Sequence, residues 1–87
     1  MARDLIILEL KEILSQKSFY LDEHDINFAD ENTILEESLG LDSLDMYELA
    51  IEITNKYQIY IDDKDIKRFK YLTLGEIADC INDKLFP

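Results

Sequence analysis

The sequence predicts an all-α fold: a four-helix bundle with three longer helices, a short third helix, and a long loop between the first two helices. The chain of 87 residues contains two glycines and one proline, too few turn formers for a β-sandwich with a turn about every 8–12 residues. Hydrophobic residues make up 47% and charged residues 33%, a balance typical of a globular protein. Because 87 residues supply interior for one hydrophobic core, we expect residues 1–87 to form a single domain.

Acidic residues outnumber basic residues, 20 to 9, and give a formal net charge of −11 at pH 7. A nucleic-acid partner and an anionic membrane surface are therefore not expected, since both require a basic footprint. The longest apolar run, Leu5 to Leu8, is too short for membrane insertion or for the core of a signal peptide. Cys80 is the single cysteine, which fits a reducing compartment, and we expect a cytoplasmic protein.

The first helix is predicted from Asp4 to about Gln16, because apolar residues recur there at spacings of three and four. Its buried stripe consists of Ile6, Ile7, Leu10, Ile13 and Leu14. From Lys17 to Leu41 this periodicity fails and turn-forming residues cluster, which predicts the long loop. Apolar residues that could anchor this loop to the core are Leu21, Ile26, Phe28, Ile34 and Leu35.

The second helix is predicted to start at Asp42, an N-cap residue type, and to end at about Lys56. A short third helix is predicted over residues 63–69, where two apolar residues are three positions apart. Thr73-Leu74-Gly75-Glu76 has the form of a capping box, which predicts a last helix that continues to about Leu85.

The second helix carries two apolar stripes. At 100° per residue, one stripe faces the core and consists of Met46, Leu49, Ala50, Ile53 and Tyr57. The second stripe lies on the opposite side and consists of Leu44, Tyr47 and Ile51, beside the acidic residues Asp45, Glu48 and Glu52. Three apolar residues on a solvent-facing side indicate a docking surface for a partner. The alternative is that the long loop folds over them.

Ser43 is predicted in the first turn of the second helix, where the macrodipole favours a negatively charged group such as a phosphate ester. No catalytic pattern surrounds this serine, so we expect it to be modified rather than catalytic. Its alternative role is that of an ordinary serine at a helix N-terminus. The lone His24 and Cys80 predict no metal site.

The chain resembles the acyl carrier proteins over nearly its whole length. The resemblance is carried by the small acidic helical composition, a long first loop ending in Leu39-Gly40-Leu41-Asp42-Ser43-Leu44, and the acids of the second helix. It implies that Ser43, preceded by Asp42, bears a covalent 4′-phosphopantetheine arm that carries acyl groups as thioesters. It also implies no catalytic activity of its own and a role in fatty-acid, polyketide or related lipid biosynthesis.

The implied partners are a phosphopantetheinyl transferase and acyl-processing enzymes with basic docking patches, and the chain is expected to be a monomer. The partner-binding residues would be Leu44, Asp45, Tyr47, Glu48, Ile51 and Glu52. Residues that could line a space for the acyl chain are Leu49, Ile53, Ile66, Ile77 and Ile81. The alternative for each of these five is simple core packing.

The chain departs from the family pattern in its basic residues, which are Lys56, Lys64, Lys67, Arg68 and Lys70. The segment from Tyr57 to Thr73 also looks about two residues longer than in common fatty-acid carriers, with a basic and aromatic insert over residues 68–71. That length is similar to carriers of D-alanine for cell-wall teichoic acids, which lack the Leu-Gly before the Asp-Ser. Two alternatives therefore stay open: an amino-acid carrier, and an unmodified acidic adaptor that binds a basic partner.

Overall fold

The computed structural model describes residues 2–87, and this part of the chain is helical, without a β-strand. The elements are α1 (Arg3–Leu14), a 3₁₀ turn (Lys17–Phe19), α2 (Glu23–Phe28), α3 (Leu35–Leu39), α4 (Ser43–Tyr57), α5 (Asp63–Phe69) and α6 (Leu74–Leu85). The predicted all-α class is confirmed. The four predicted helices correspond to α1, α4, α5 and α6.

The helix boundaries follow from local chemistry. Helix α1 ends at Leu14, two residues earlier than predicted, and the hydroxyl of Ser15 donates to the carbonyl of Glu12 over 2.5 Å. Helix α4 extends one residue beyond the prediction and stops because Gln58 adopts a left-handed conformation with φ of 56°. The predicted bounds of α5 and α6 agree with the structure.

The prediction of a long loop from Lys17 to Leu41 is wrong, because this segment contains the 3₁₀ turn, α2 and α3. These elements have three, six and five residues, too few for a helical period to show in the sequence. Some of the turn formers are in fact caps. The carboxylate of Asp22, for example, accepts a hydrogen bond from the backbone N–H of His24 over 2.9 Å at the start of α2.

The predicted anchors of this segment divide into three groups. Ile26 and Leu35 are buried, whereas Leu21 and Ile34 are half-buried. Phe28 is 75% exposed and stacks on His24 with 4.6 Å between ring centroids, so its prediction as an anchor is wrong.

The core is formed where α1 packs against α4 and α6, while α5 packs against α4. It includes the whole predicted stripe of α1. Its fully buried large side chains come from five helices and are Ile6, Leu10, Leu14, Leu35, Met46, Leu49, Ile53, Phe69, Leu74, Ile77 and Ile81. Phe69 belongs to the segment predicted as an insert, yet it is a central core residue.

Backbone hydrogen bonds tie the segment before α4 to the start of α6. The N–H groups of Leu74 and Gly75 donate to the carbonyls of Thr33 and Glu31 over 2.9 and 3.0 Å. A side chain at Gly75 would meet the carbonyl of Glu31 at 2.9 Å, so the close approach of the two segments requires glycine. These contacts, distant in sequence, therefore fix residues 31–33 against the start of α6.

We expect Thr73→Ala to lower the free energy of unfolding by about 1 kcal/mol, because it removes an N-cap. The Thr73 hydroxyl accepts from the N–H of Glu76 over 3.0 Å, and the Glu76 carboxylate accepts from the N–H of Thr73 over 3.0 Å. Urea unfolding should show a lower midpoint with an unchanged slope. The matched control is Thr54→Ala at an exposed position within α4, expected to change stability by less than about 0.5 kcal/mol. Equal losses in the two variants would contradict the capping role.

Candidate functional site

The site is built on the N-terminus of α4, where Ser43 is the first helical residue and is exposed. Asp42 is the N-cap, and its carboxylate accepts from the backbone N–H of Asp45 over 2.9 Å. The Asp45 carboxylate accepts in turn from the N–H of Asp42 over 2.9 Å. This capping box fixes the first turn, and the N–H of Asp45 is the main cause that holds the pKa of the Asp42 carboxyl below its usual range.

The Ser43 hydroxyl faces a cleft with a volume of about 270 Å³. Its Oγ accepts a long hydrogen bond of 3.4 Å from Nζ of Lys70, the residue that follows α5. The cleft is lined by Ser43, Met46, Tyr47, Ile66, Lys67, Lys70 and Tyr71. Sequence reasoning missed the contact between Lys70 and Ser43, although it noted the basic and aromatic segment that supplies Lys70.

The second apolar stripe of α4 is open to solvent. Leu44, Ile51 and Tyr47 are 78%, 56% and 39% exposed. The alternative that the preceding segment covers this stripe is therefore wrong. The Tyr47 hydroxyl donates to the Asp63 carboxylate of α5, so the ring rather than the hydroxyl is presented to a partner.

The three acids beside this stripe differ in their surroundings. Asp45 is half-buried and belongs to the capping box, while the Glu52 carboxylate accepts from the side-chain amide of Gln16 over 3.3 Å. Glu48 is half-buried, and no residue within 2–87 forms a hydrogen bond or ion pair with its carboxylate. Among these three acids, Glu48 is the one whose carboxylate has no partner within the described chain.

Comparison with known proteins agrees with this arrangement. A family model described as the phosphopantetheine attachment site matches residues 9–81. The acyl carrier protein of Thermotoga maritima is 31% identical over 84 residues, which cover 97% of this chain and 96% of that protein. An acyl carrier protein homolog of Mycoplasma genitalium is 35% identical over 78 residues, covering 87% of this chain and 80% of the homolog.

The chain belongs to the acyl carrier protein family. The prosthetic group that defines the matched family is 4′-phosphopantetheine, bound covalently, and the partners of such a carrier are acyl-processing enzymes.

The residues at the start of α4 fit the phosphate end of this prosthetic group. Ser43 offers an exposed hydroxyl at the positive end of a 15-residue helix, and the Lys70 ammonium lies 3.4 Å from its Oγ. The two carboxylates of the capping box would repel the negative charge of that phosphate. At Ser43, a helix N-terminus and one cation would attract a phosphate, and two nearby acids would repel it.

The core-facing stripe of α4 is confirmed for Met46, Leu49, Ala50 and Ile53, which are all buried. Tyr57 is half-buried, and its hydroxyl donates to the Glu9 carboxylate over 2.6 Å. Burial, together with this hydrogen bond, raises the pKa of Tyr57 above its usual range.

Most of the residues predicted to line an acyl space are packed in the core. Leu49, Ile53, Ile77 and Ile81 are fully buried, and the cleft beside Ser43 reaches none of them. Ile66 is half-buried and does line that cleft. The core-packing alternative describes the four buried residues, while Ile66 lies beside the candidate attachment residue.

Three further observations concern the part of the chain that the structure describes. Within residues 2–87, no helix has the length and apolar character needed to cross a membrane. Over the same residues, no three His, Cys, Asp or Glu side chains come together as a metal-binding group. Cys80 is half-buried in α6, and its burial raises the pKa of the thiol.

We expect Tyr47→Phe to raise the pKa of Asp63, because the hydrogen bond from Tyr47 is the main cause that lowers it, followed by the one from Lys67. A lowered carboxyl pKa stabilises the fold above the unfolded-state value of about 4 and loses this effect as the pH falls through the folded-state value. The variant should therefore lose less stability than the wild type on acidification below about pH 4. Carboxyl ¹³C NMR titration measures the pKa. Tyr60→Phe, at a tyrosine that is 78% exposed, is the control. An unchanged Asp63 pKa in Tyr47→Phe would rule out this role of the hydroxyl.

Proposed function

We propose that Ser43 is the attachment residue for 4′-phosphopantetheine and that the protein carries acyl intermediates to enzymes of fatty-acid, polyketide or related lipid biosynthesis. The observation that supports this most is the exposed Ser43 hydroxyl at the first residue of α4, within Asp42-Ser43-Leu44. When bound, the prosthetic group supplies a terminal thiol that holds an acyl group as a thioester. The protein itself acts as a carrier and not as an enzyme, and residues 1–87 form its single domain.

In this proposal the residues around Ser43 hold the attachment point and do no chemistry on the cargo. The capping box of Asp42 and Asp45 keeps the first turn ordered, so that the hydroxyl of Ser43 stays at one place on the surface. The helix N-terminus stabilises the negative charge of a phosphodiester there. The rigid helix gives a transferase a defined target, while the flexible attached group lets the thiol reach the active sites of partner enzymes.

The docking surface consists of Leu44, Tyr47 and Ile51 with Asp45, Glu48 and Glu52. Its apolar side chains are exposed and its acids favour encounter with a basic patch, which fits the phosphopantetheinyl transferase and acyl-processing enzymes. We expect such docking to be weak, rapid and sensitive to salt. We further propose that the protein acts as a monomer in the cytoplasm.

A second candidate function is carriage of a small cargo, namely an amino acid such as D-alanine. The observation that favours it is the complete burial of Leu49, Ile53, Ile77 and Ile81, which leaves the 270 Å³ cleft beside Ser43 as the space nearest to the attachment point. A cleft of this size suits a short cargo better than a long acyl chain. The unmodified adaptor shares the docking surface but makes Ser43 incidental.

Ser43→Ala should abolish loading and leave the fold intact, because an exposed hydroxyl in the first turn contributes little packing. Purified protein is incubated with coenzyme A and a broad-specificity phosphopantetheinyl transferase, and its intact mass is measured. The wild type should gain one phosphopantetheine and Ser43→Ala none, with equal helicity by circular dichroism. Ser38→Ala, at an exposed serine near the end of α3, is the control and should load normally. A wild-type protein that gains no mass would favour the adaptor, and lost helicity in Ser43→Ala would make that serine structural.

Glu48→Lys should reduce the rate of loading by the transferase about tenfold at low ionic strength, because it reverses a charge on the docking surface. The ratio between wild type and variant should shrink as salt is added, since screening removes long-range attraction. Asp83→Lys makes the same charge change at an exposed position of α6 and serves as the control. Equal effects of the two reversals, or a salt-independent ratio, would contradict steering by α4.

A further inference from the structure

Lys70 links the C-terminal end of α5 to the N-terminus of α4. It is half-buried, and its Nζ lies 3.4 Å from the Oγ of Ser43. The distance is at the long end of the hydrogen-bonding range, so the contact with the hydroxyl itself is weak. The ammonium is nevertheless placed beside the oxygen to which the prosthetic group would be joined.

The backbone of Lys70 is held in place on both sides. Phe69, the preceding residue, is fully buried in the core. The Lys70 carbonyl accepts from the N–H of Glu36 over 3.2 Å, which ties it to α3. Its Nζ also lies over the Tyr71 ring, 5.1 Å from the centroid, in a cation–π contact. The ammonium therefore extends from a fixed base and has a preferred direction.

The charge of Lys70 is not used in an ion pair within the described chain, unlike that of its basic neighbours. Lys67 pairs with Asp63 over 3.0 Å, and Arg68 pairs with Asp65 over 3.9 Å. Lys70 has no carboxylate within 4.0 Å among residues 2–87. The Lys70 ammonium is therefore available to an anionic ligand.

A phosphodiester on Ser43 would add negative charge between two existing carboxylates. The lowered pKa of Asp42 keeps that group ionised, and Asp45 belongs to the same capping box. The free oxygens of the phosphate extend one bond beyond the phosphorus that is joined to Oγ. They would therefore come within direct hydrogen-bonding range of an ammonium that is already 3.4 Å from Oγ.

We propose that Lys70 is a positioning residue that forms a charge-assisted hydrogen bond with the phosphodiester of the arm on Ser43. This inference depends on the proposed attachment at Ser43. The ion pair offsets repulsion from Asp42 and Asp45, and it orients the first bonds of the arm over the cleft between Tyr47 and Ile66. The arm thus leaves Ser43 in a preferred direction, toward α5, and its thiol end stays free.

The test is ³¹P NMR of the loaded protein without an acyl group, combined with its intact mass. In the wild type, the phosphodiester resonance should differ from that of the same protein in denaturant and should move toward it as sodium chloride is added, because salt screens the ion pair. In Lys70→Gln, the resonance should already lie near the denatured position and respond little to salt. Lys70→Arg should restore a salt-dependent shift. The control is Lys64→Gln, at an exposed lysine of α5 expected to give the wild-type resonance.

The outcomes separate this inference from the proposed function. A protein that gains the phosphopantetheine mass at Ser43, but whose ³¹P resonance is the same in the wild type and in Lys70→Gln, retains the function and overturns the role of Lys70. A wild type that gains no mass overturns both. Equal changes of the ³¹P resonance in Lys70→Gln and Lys64→Gln would show that general surface charge causes the change, and they would also overturn the role of Lys70. Circular dichroism of the unloaded variants establishes that the fold is retained.

Discussion

The reciprocal hydrogen bonds between Asp42 and Asp45 determine where the functional end of this protein begins. They satisfy backbone N–H groups that an α-helix leaves unpaired in its first turn, and they make Ser43 the first helical residue. Without this capping box the first turn would fray and the serine would have no fixed place relative to the exposed stripe. The cost of the arrangement is electrostatic, since two carboxylates lie next to Ser43, the residue proposed to carry a negatively charged ester.

The basic residues of α5 matter for this repulsion, because a free cation near α4 could offset it. Most of them are paired with acids of the same helix. One of these acids, Asp65, also pairs with Lys84 of α6 over 3.0 Å. Such exposed pairs contribute little stability, but they remove free positive charge from the neighbourhood of α4. A partner approaching α4 would therefore meet mainly the acids of the docking surface, while the Lys70 ammonium lies beside Ser43. In the proposed function, the Lys70 ammonium and the acidic surface would serve different ligands.

Sequence reasoning predicted the long helices and the place of Ser43 at the start of α4, because both leave local signals. Asp42 and Thr73 are N-cap residues that mark the starts of α4 and α6, and the two stripes of α4 follow from helical periodicity. It failed for residues 17–41, since helices of five or six residues show less than two turns of any pattern. It also missed the contact of Lys70 with Ser43, because these residues are 27 positions apart and their approach carries no local sequence signal.

The buried core and the cleft beside Ser43 differ in the space that they offer to a bound chain. Leu49 and Ile53 of α4 and Ile77 and Ile81 of α6 belong to one continuous cluster of buried residues, so inserting a long chain there would require packed side chains to separate. Opening a packed core costs contacts that a short cargo would not replace. The cleft beside Ser43 needs no such opening, because it already exists between α4 and α5 and is bounded by Tyr47, whose hydroxyl is held by Asp63. Inserting a chain into the core would therefore require α4 to separate from its neighbours, and the hydrogen bond from Tyr47 to Asp63, which bridges α4 and α5, would oppose that separation.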